Sequence, residues 1–402
     1  MYNNFFSERI NLLKANGTYR TFYDINRLCG HYPDARTSSD FGKTVKVWCS
    51  NDYLGMSQNQ AVLQAMHDAI DRYGAGAGGS RNIGGNYAVL CQLEESLAQW
   101  HEKPAALVFP TGYTSNDATL HAILQLLPDC IVFSDEKNHA SLINGIRRSG
   151  VEKIVFKHND VEELEEALQA APLERPKVIV FESIYSMDGD VAPIVDIVRL
   201  AKKYKCFTFL DEVHAVGMYG PKGAGMAAEL GVAEDIDIIQ STLAKAVGIL
   251  GGYIAGSREA IDAVRSFASG FIFTTAMPPC IAAGCLKSVE HLKKSQAERS
   301  QLHEKTQLLR QQLKVRKIPV LQVSQTHILP VMIGSAKKCT LAAQELYNKF
   351  NIYLQPINAP SVPMGTERFR VNVTPNHTSA DIEYLAGSLE QVFYAYDIAF
   401  AE

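Results

Sequence analysis

In the stretch STLAKAVGILGGYIAGS, Ser241 to Ser257, the only charged side chain is that of Lys245. Lysines are ordinarily solvated, yet Ala244, Ala246, Val247, Gly248, Ile249 and Leu250 give this one no acidic neighbour along the chain. An ammonium among such residues is driven toward its neutral form, and a neutral lysine amine is a nucleophile suited to a Schiff base. A matching carboxylate lies about one strand-helix unit upstream, where Asp211 closes the apolar run CFTFLDEVH. An acid at that strand end could keep a pyridinium nitrogen protonated, which makes the ring an electron sink.

Such a pair needs rigid elements around it, and the composition allows them. The chain has 402 residues, 47% hydrophobic and 20% charged, enough for a large core and two domains. Its net charge is only −4, with no polybasic tail or stripe, so nucleic acid and anionic membrane surfaces are poor partners and small-molecule chemistry is favoured. The eight cysteines form no CxxC pair and no histidines fall in an HExxH spacing, which predicts a reduced compartment and no metal site. The N-terminal MYNNFFSERINLLKANGTYR has neither a signal-peptide core nor a transit character, and no window approaches 18 uninterrupted apolar residues, so a cytoplasmic location, most simply bacterial, is expected.

From about residue 105, short apolar runs (AALVF, CIVFSD, KIVFKH, KVIVFES, CFTFLDEVH, DIDIIQSTLAK) alternate with helix-length amphipathic stretches such as DVEELEEALQAA and APIVDIVRLAKKY. Asp160 and Glu163 have capping-box spacing at the start of the first of these helices. Alternation of this kind predicts an α/β fold with a large, doubly wound, mainly parallel sheet whose ligand site lies at the carboxyl ends of the strands. A polar, helix-favouring region from SVEHLKKSQ to LLRQQLK separates it from a small C-terminal α/β domain, so residues 1–45 read as an N-terminal segment, 46–290 as the large domain and 291–402 as the small one. GAGAGGSRNIGG contains GxGxxG, but AVLQAMHDAIDRYG before it has helical spacing, whereas a dinucleotide loop follows a strand. It reads instead as a flexible loop whose backbone approaches a ligand or another subunit. That spacing excludes a nicotinamide dehydrogenase.

LDEVHAVGMYGPKGAG, STLAKAVGILGGYIAGS, WCSNDYLGMSQ and GAGAGGSRNIGG together resemble the pyridoxal-phosphate-dependent α-oxoamine synthases, transferases of the aspartate aminotransferase-like fold type I. The resemblance runs from GTYRTFYDINR to TERFRVNVTPNHT. It implies an acyltransferase that condenses an amino acid with an acyl-CoA, with loss of carbon dioxide, in a homodimer with shared active sites. Lys245 would carry the cofactor and later act as base, Asp211 would pair with the pyridine nitrogen, His214 would bond the ring hydroxyl and His139 would stack on the ring. Without the resemblance, His139 would read as a helix-start residue bonded to backbone.

The same resemblance assigns Gly112 and Tyr113, between a strand and a helix, to the phosphate with the hydroxyl of Thr242. Thr274 and Thr275 would reach the phosphate of the neighbouring subunit, and Ser186 and Ser134 would add hydrogen bonds near the cofactor. Arg370 would grip a substrate carboxylate, with Asn51 and Tyr53 lining the glycine site. Arg20, with Ser80, Asn82 and Ile83, matches a pocket for the distal carboxylate of succinyl-CoA, so glycine and succinyl-CoA are the expected substrates. Ser80 stands where threonine is usual in that branch, Ser361 also replaces a threonine, Met364 an arginine and Val247 an aromatic residue. The alternative is a sister synthase using another acyl-CoA. Intact Lys245, Asp211 and His139 speak against a catalytically silent subunit.

Overall fold

The alternating apolar runs become strands, most of them buried on both faces. The computed structural model describes residues 1–38 and 42–401. Numbered along the chain, its strands are β1 (Ile25–Arg27), β2 (Asp34–Thr37), β3 (Thr44–Val47), β4 (Ala105–Phe109), β5 (Ile131–Asp135), β6 (Glu152–Phe156), β7 (Lys177–Glu182), β8 (Phe207–Asp211), β9 (Ile238–Thr242), β10 (Gly252–Gly256), β11 (Ile328–Met332), β12 (Ile352–Tyr353), β13 (Pro356–Ile357) and β14 (Arg368–Asn372). Two units share them: Met1–Tyr53, Met187–Asp190 and Ser300–Glu402 form one, and Leu54–Ser186 with Val191–Arg299 form the other.

The larger unit is built on a seven-stranded sheet in the order β4-β10-β9-β8-β7-β5-β6. β10 runs antiparallel to both neighbours and every other pair is parallel. Every residue of β5, β7, β9 and β10 is buried, which is why these runs are continuously apolar rather than alternating. The helices that cover the sheet show the complementary pattern: Ile194–Tyr204 buries Ile194, Ile197, Val198, Leu200 and Ala201 on one face. The chain lays β4 at one edge, builds β5 and β6 at the other and fills the middle afterwards. Asp135, Glu182, Asp211 and Thr242 are thereby the last residues of β5, β7, β8 and β9, at the carboxyl ends where doubly wound sheets bind ligands.

The glycine-rich segment follows a helix, Gln60–Tyr73, as its spacing predicts. It is tightly turned around Gly79. A Cβ on Gly79 would sit 2.2 Å from the Ile83 carbonyl oxygen, the Ala276 amide donates to Gly79 O at 2.9 Å, and Arg81 grips Glu94 with two bonds of 2.7 and 2.9 Å. Asp160 caps helix Val161–Ala170 by accepting from the Glu163 amide, but the reciprocal half of the predicted capping box is not formed. The Asp160 amide is taken by Lys157 O, and the Glu163 carboxylate turns back to the Lys157 amide. A complete box stands at Thr378 and Asp381, heading helix Ser379–Ala395.

In the smaller unit, β1-β2-β3-β12 and β11-β14-β13 form two sheets. Residues 1–45 are not a body of their own. β3 pairs in parallel with β12, and Tyr23 stacks on Tyr347 with ring centroids 4.4 Å apart, so the N-terminal segment and the C-terminal domain fold as one unit. The polar region after the large sheet is two helices, Pro279–Leu292 and Ala297–Val315. The first belongs to the larger unit, where Gly284 lets it approach Met66 of Gln60–Tyr73: a Cβ there would lie 2.7 Å from Met66 Cγ. The division therefore falls at 299/300 rather than 290.

Candidate active site

Lys245 follows β9 and is half-buried rather than fully enclosed. Its apolar neighbours Leu243, Ala246 and Val247 turn into the core, while its amine meets His214 Nε2 at 2.9 Å. Asp211, the last residue of β8, is buried and accepts from Asn116 Nδ2 at 2.7 Å and from the Val213 amide at 2.9 Å. Burial raises its pKa; the Lys245 charge, these two donors and His139 oppose the rise without cancelling it. The acidic partner that local sequence does not offer Lys245 is thus supplied by the fold.

His139 caps helix Ala140–Ser149: its Nδ1 accepts from the Ser141 amide and contacts Ser141 Oγ at 2.7 Å. The local reading of this histidine as a backbone-bonded helix start is what the structure shows, and the residue stays exposed there. Desolvation lowers its pKa against the pull of Asp211, and Lys245 lowers it further; the Nδ1 that accepts the Ser141 amide carries no proton. Ser141 also accepts from Asn116, which joins His139 to Asp211 through two side chains.

Gly112 opens helix Gly112–Leu126 directly after β4, capped by Thr111, whose hydroxyl accepts from the Thr114 amide. The helix start abuts β10: a Cβ on Gly252 would lie 2.5 Å from Gly112 Cα and 2.6 Å from Ser115 Oγ, and one on Gly112 would lie 3.0 Å from Thr242 Oγ1. Two glycines thus let a helix N-terminus, with free amides and a positive dipole end, pack onto the strand beside Thr242. The Thr242 hydroxyl already donates to Gly251 O at 2.8 Å and accepts from the Ala244 amide. Tyr113 is partly exposed and its hydroxyl is bonded by Asn144. Gly252→Ala is expected to destabilise the fold by roughly 1–3 kcal/mol through overpacking and to weaken anion binding at Gly112; thermal unfolding with and without inorganic phosphate measures both.

Ser186 is half-buried after β7. Ser134 is buried, its hydroxyl accepting from Asn138 and donating to Asp135 O, bonds that brace the turn before His139. Ser80 forms an isolated bridge with Thr275; Asn82, Ile83 and Thr275 are exposed and Thr274 is half-exposed. The Ser80–Thr275 bridge and the bond from the Ala276 amide to Gly79 O hold the two segments together.

In the smaller unit, Arg370 of β14 donates to Asn51 Oδ1 at 2.9 Å and to the Tyr53 hydroxyl, which also bonds Asn51 at 3.1 Å. Arg370 is buried, and its planar guanidinium suits a carboxylate. Arg20 is exposed, donates to Ser361 Oγ at 3.0 Å, and lines a cavity of about 380 Å³ with Tyr19, Phe22, Tyr353 and Asn358.

Sequence reasoning missed Asn116, Ser141 and Glu182. Asn116 lies one helical turn after Gly112 on the same helix, which was a usable signal. Glu182 ends β7 as Asp211 ends β8, and it accepts from the His139 amide at 2.6 Å.

The residues suit pyridoxal phosphate. A lysine amine stands by a histidine, an exposed imidazole offers a face for stacking, and a carboxylate whose pKa burial has raised stands ready to pair with a cation.

Residues 43–389 match the model of the family "Aminotransferase class I and II". The chain is 50% identical over 399 residues to the mitochondrial 5-aminolevulinate synthase of Schizosaccharomyces pombe (strain 972 / ATCC 24843), covering 99% of this chain and 71% of that protein. It is 50% identical over 393 residues to the 5-aminolevulinate synthase of Rhizobium meliloti (strain 1021), covering 98% and 97%. A solved serine palmitoyltransferase from S. paucimobilis with bound PLP-myriocin aldimine superposes with a TM-score of 0.90 at 28% identity, covering 98% of each chain. Among the described residues no helix is long and apolar enough to cross a membrane.

Proposed function

The chain belongs to the class I and II aminotransferase family and, within it, to the 5-aminolevulinate synthases, and from this we infer that it condenses glycine with succinyl-CoA to give 5-aminolevulinate, CoA and carbon dioxide. It is a pyridoxal-phosphate-dependent acyltransferase that opens a route to haem and other tetrapyrroles. The observation that carries this reading is the Lys245 amine bonded to His214 in the field of buried Asp211.

Pyridoxal phosphate, when bound, supplies the conjugated electron sink that takes the electron pair left as glycine loses its α-proton, and again as the β-keto acid loses carbon dioxide. The remaining work falls to side chains. Lys245 holds the cofactor and moves the proton at the glycine α-carbon; His214, 2.9 Å away, orients the amine. Asp211 fixes one negative charge at the sheet edge, and His139 covers one face of the ring. Gly112 and Tyr113 take the phosphate on helix amides, aided by Thr242 and Ser186. Arg370, presented by Asn51 and Tyr53, takes the glycine carboxylate.

The protein acts as a homodimer, with Thr274 and Thr275 serving the neighbouring subunit's phosphate. Supporting this, Phe273, next to these threonines in the chain, is 84% exposed, and Phe267 and Ile83 are 65% and 69% exposed.

For the acyl group, Arg20 takes the distal carboxylate. A charged hydrogen bond of this kind contributes roughly 1.5–3 kcal/mol, so succinyl-CoA should be preferred over butyryl-CoA by about tenfold or more in kcat/KM. Arg20→Leu is expected to collapse that preference, mainly by losing succinyl-CoA activity. Ser80→Thr, one methyl group, should shift it less. An acyl-CoA panel with product mass analysis measures all three; a wild type indifferent to the carboxylate, unchanged by Arg20→Leu, would make the chain a synthase for another acyl group.

A further inference from the structure

Glu182 and Asp211 are Cα partners across the β7–β8 ladder, and each is 2% exposed. Two buried carboxylates this close do not both ionise cheaply. Asp211 has the Asn116 amide, the Val213 N–H and the Lys245 charge in favour of its anion, while the hydrogen bond recorded for the Glu182 carboxylate is the His139 backbone amide at 2.6 Å. Burial first, and then the charge of Asp211, hold Glu182 well above the usual carboxylate range. Asp211 thus has more support for its charge than Glu182 has.

His139 is fastened on its ring side by Ser141. On its backbone side the fastening is Glu182, whose rigid strand end sets where the residue leaves the sheet. We propose that Glu182 is the positioning residue for His139: its carboxyl oxygen anchors the His139 amide and so sets the imidazole at the depth and tilt needed to cover the cofactor ring. This rests on the pyridoxal-phosphate reading of the site. It assigns Glu182 no contact with substrate, and it makes glutamine, a neutral acceptor of the same shape, an adequate replacement.

The test compares Glu182→Gln, Glu182→Asp and Glu182→Leu. The readouts are the visible circular dichroism of bound pyridoxal phosphate, its dissociation constant, and glycine α-proton exchange without acyl-CoA, each in wild-type and His139→Ala backgrounds. The glutamine variant should match wild type within about fivefold, since glutamine keeps an acceptor for the His139 amide. Aspartate, one methylene short of the amide, and leucine, with no acceptor, should slow exchange by about tenfold to 10²-fold and change the dichroism, because small misplacements of a positioned group cost that much. In the His139→Ala background, the same substitutions should add less than about twofold, as expected of residues acting through one another. Equal losses in both backgrounds, a glutamine variant as impaired as leucine, or unchanged dichroism and exchange in the aspartate and leucine variants would overturn the assignment. A wild type that binds no pyridoxal phosphate would instead overturn the reading beneath it.

Discussion

Lys245→Ala is expected to yield a folded protein that no longer retains pyridoxal phosphate through a borohydride-reducible link and has lost at least about 10³- to 10⁴-fold in activity. The wild type should be yellow as purified. The size follows from two losses in one side chain: the covalent hold on the cofactor, and the amine that moves the glycine proton, a role that alone contributes roughly 10²- to 10⁴-fold. Folding should survive because Lys245 is half-buried and bonded to His214, while Leu243, Ala246 and Val247 carry the packing of the turn. Borohydride treatment followed by peptide mass analysis places the link; finding it intact in the alanine variant would remove Lys245 from the centre of the chemistry.

How Lys245 and Asp211 came to be readable shows where sequence stops being informative. Asp211 ends a run of residues buried on both faces, a pattern that marks a central strand, and a carboxylate at its close marks the ligand edge. Lys245 was conspicuous because nothing beside it in the chain could use a charge. The glycine-rich stretch was correctly separated from a dinucleotide loop by the helix ahead of it, but the contacts it makes were not foreseen. Arg81 finds Glu94 and Gly79 finds Ala276 only after folding. The pairing of β3 with β12 joins segments some three hundred residues apart, and no local pattern announces a partner so distant. That is why residues 1–45 read as a separate segment.

Glu182 and Asn116 escaped notice for a related reason. Each has a bland explanation in sequence, a polar strand end and a polar helix residue. Their role comes from the ladder that sets Glu182 opposite Asp211 and from the crossing that puts Asn116 between Asp211 and Ser141. Ser134 is the converse case. It lies in a motif that resembles a ligand-binding one, and the bonds its hydroxyl makes are local ones within the turn before His139.

Asp211→Ala should cost about 10²- to 10³-fold in glycine α-proton exchange, the usual loss when a preorganised electrostatic group is removed, and Asp211→Glu should cost far less. The argument is one of charge in a dry place. The carboxylate is 2% exposed, and burial pushes its pKa up even though Lys245, Val213 and Asn116 all favour the anion. An acid held in that condition gains more from a cation brought against it than a solvated one does. A protonated ring nitrogen is such a cation, and the same pairing keeps the nitrogen protonated while the electron pair from glycine is held. Alanine removes the charge and also strands the Asn116 amide, which then bonds only Ser141. Glutamate restores the charge one methylene further out, a matter of strain rather than of electrostatics. Exchange measured without acyl-CoA isolates this step from thioester chemistry and from decarboxylation. Equal exchange in wild type and Asp211→Ala would mean that the buried carboxylate serves the fold alone; retention by glutamate together with loss in alanine and asparagine variants would tie the effect to charge, since asparagine keeps the shape and the acceptor but not the anion.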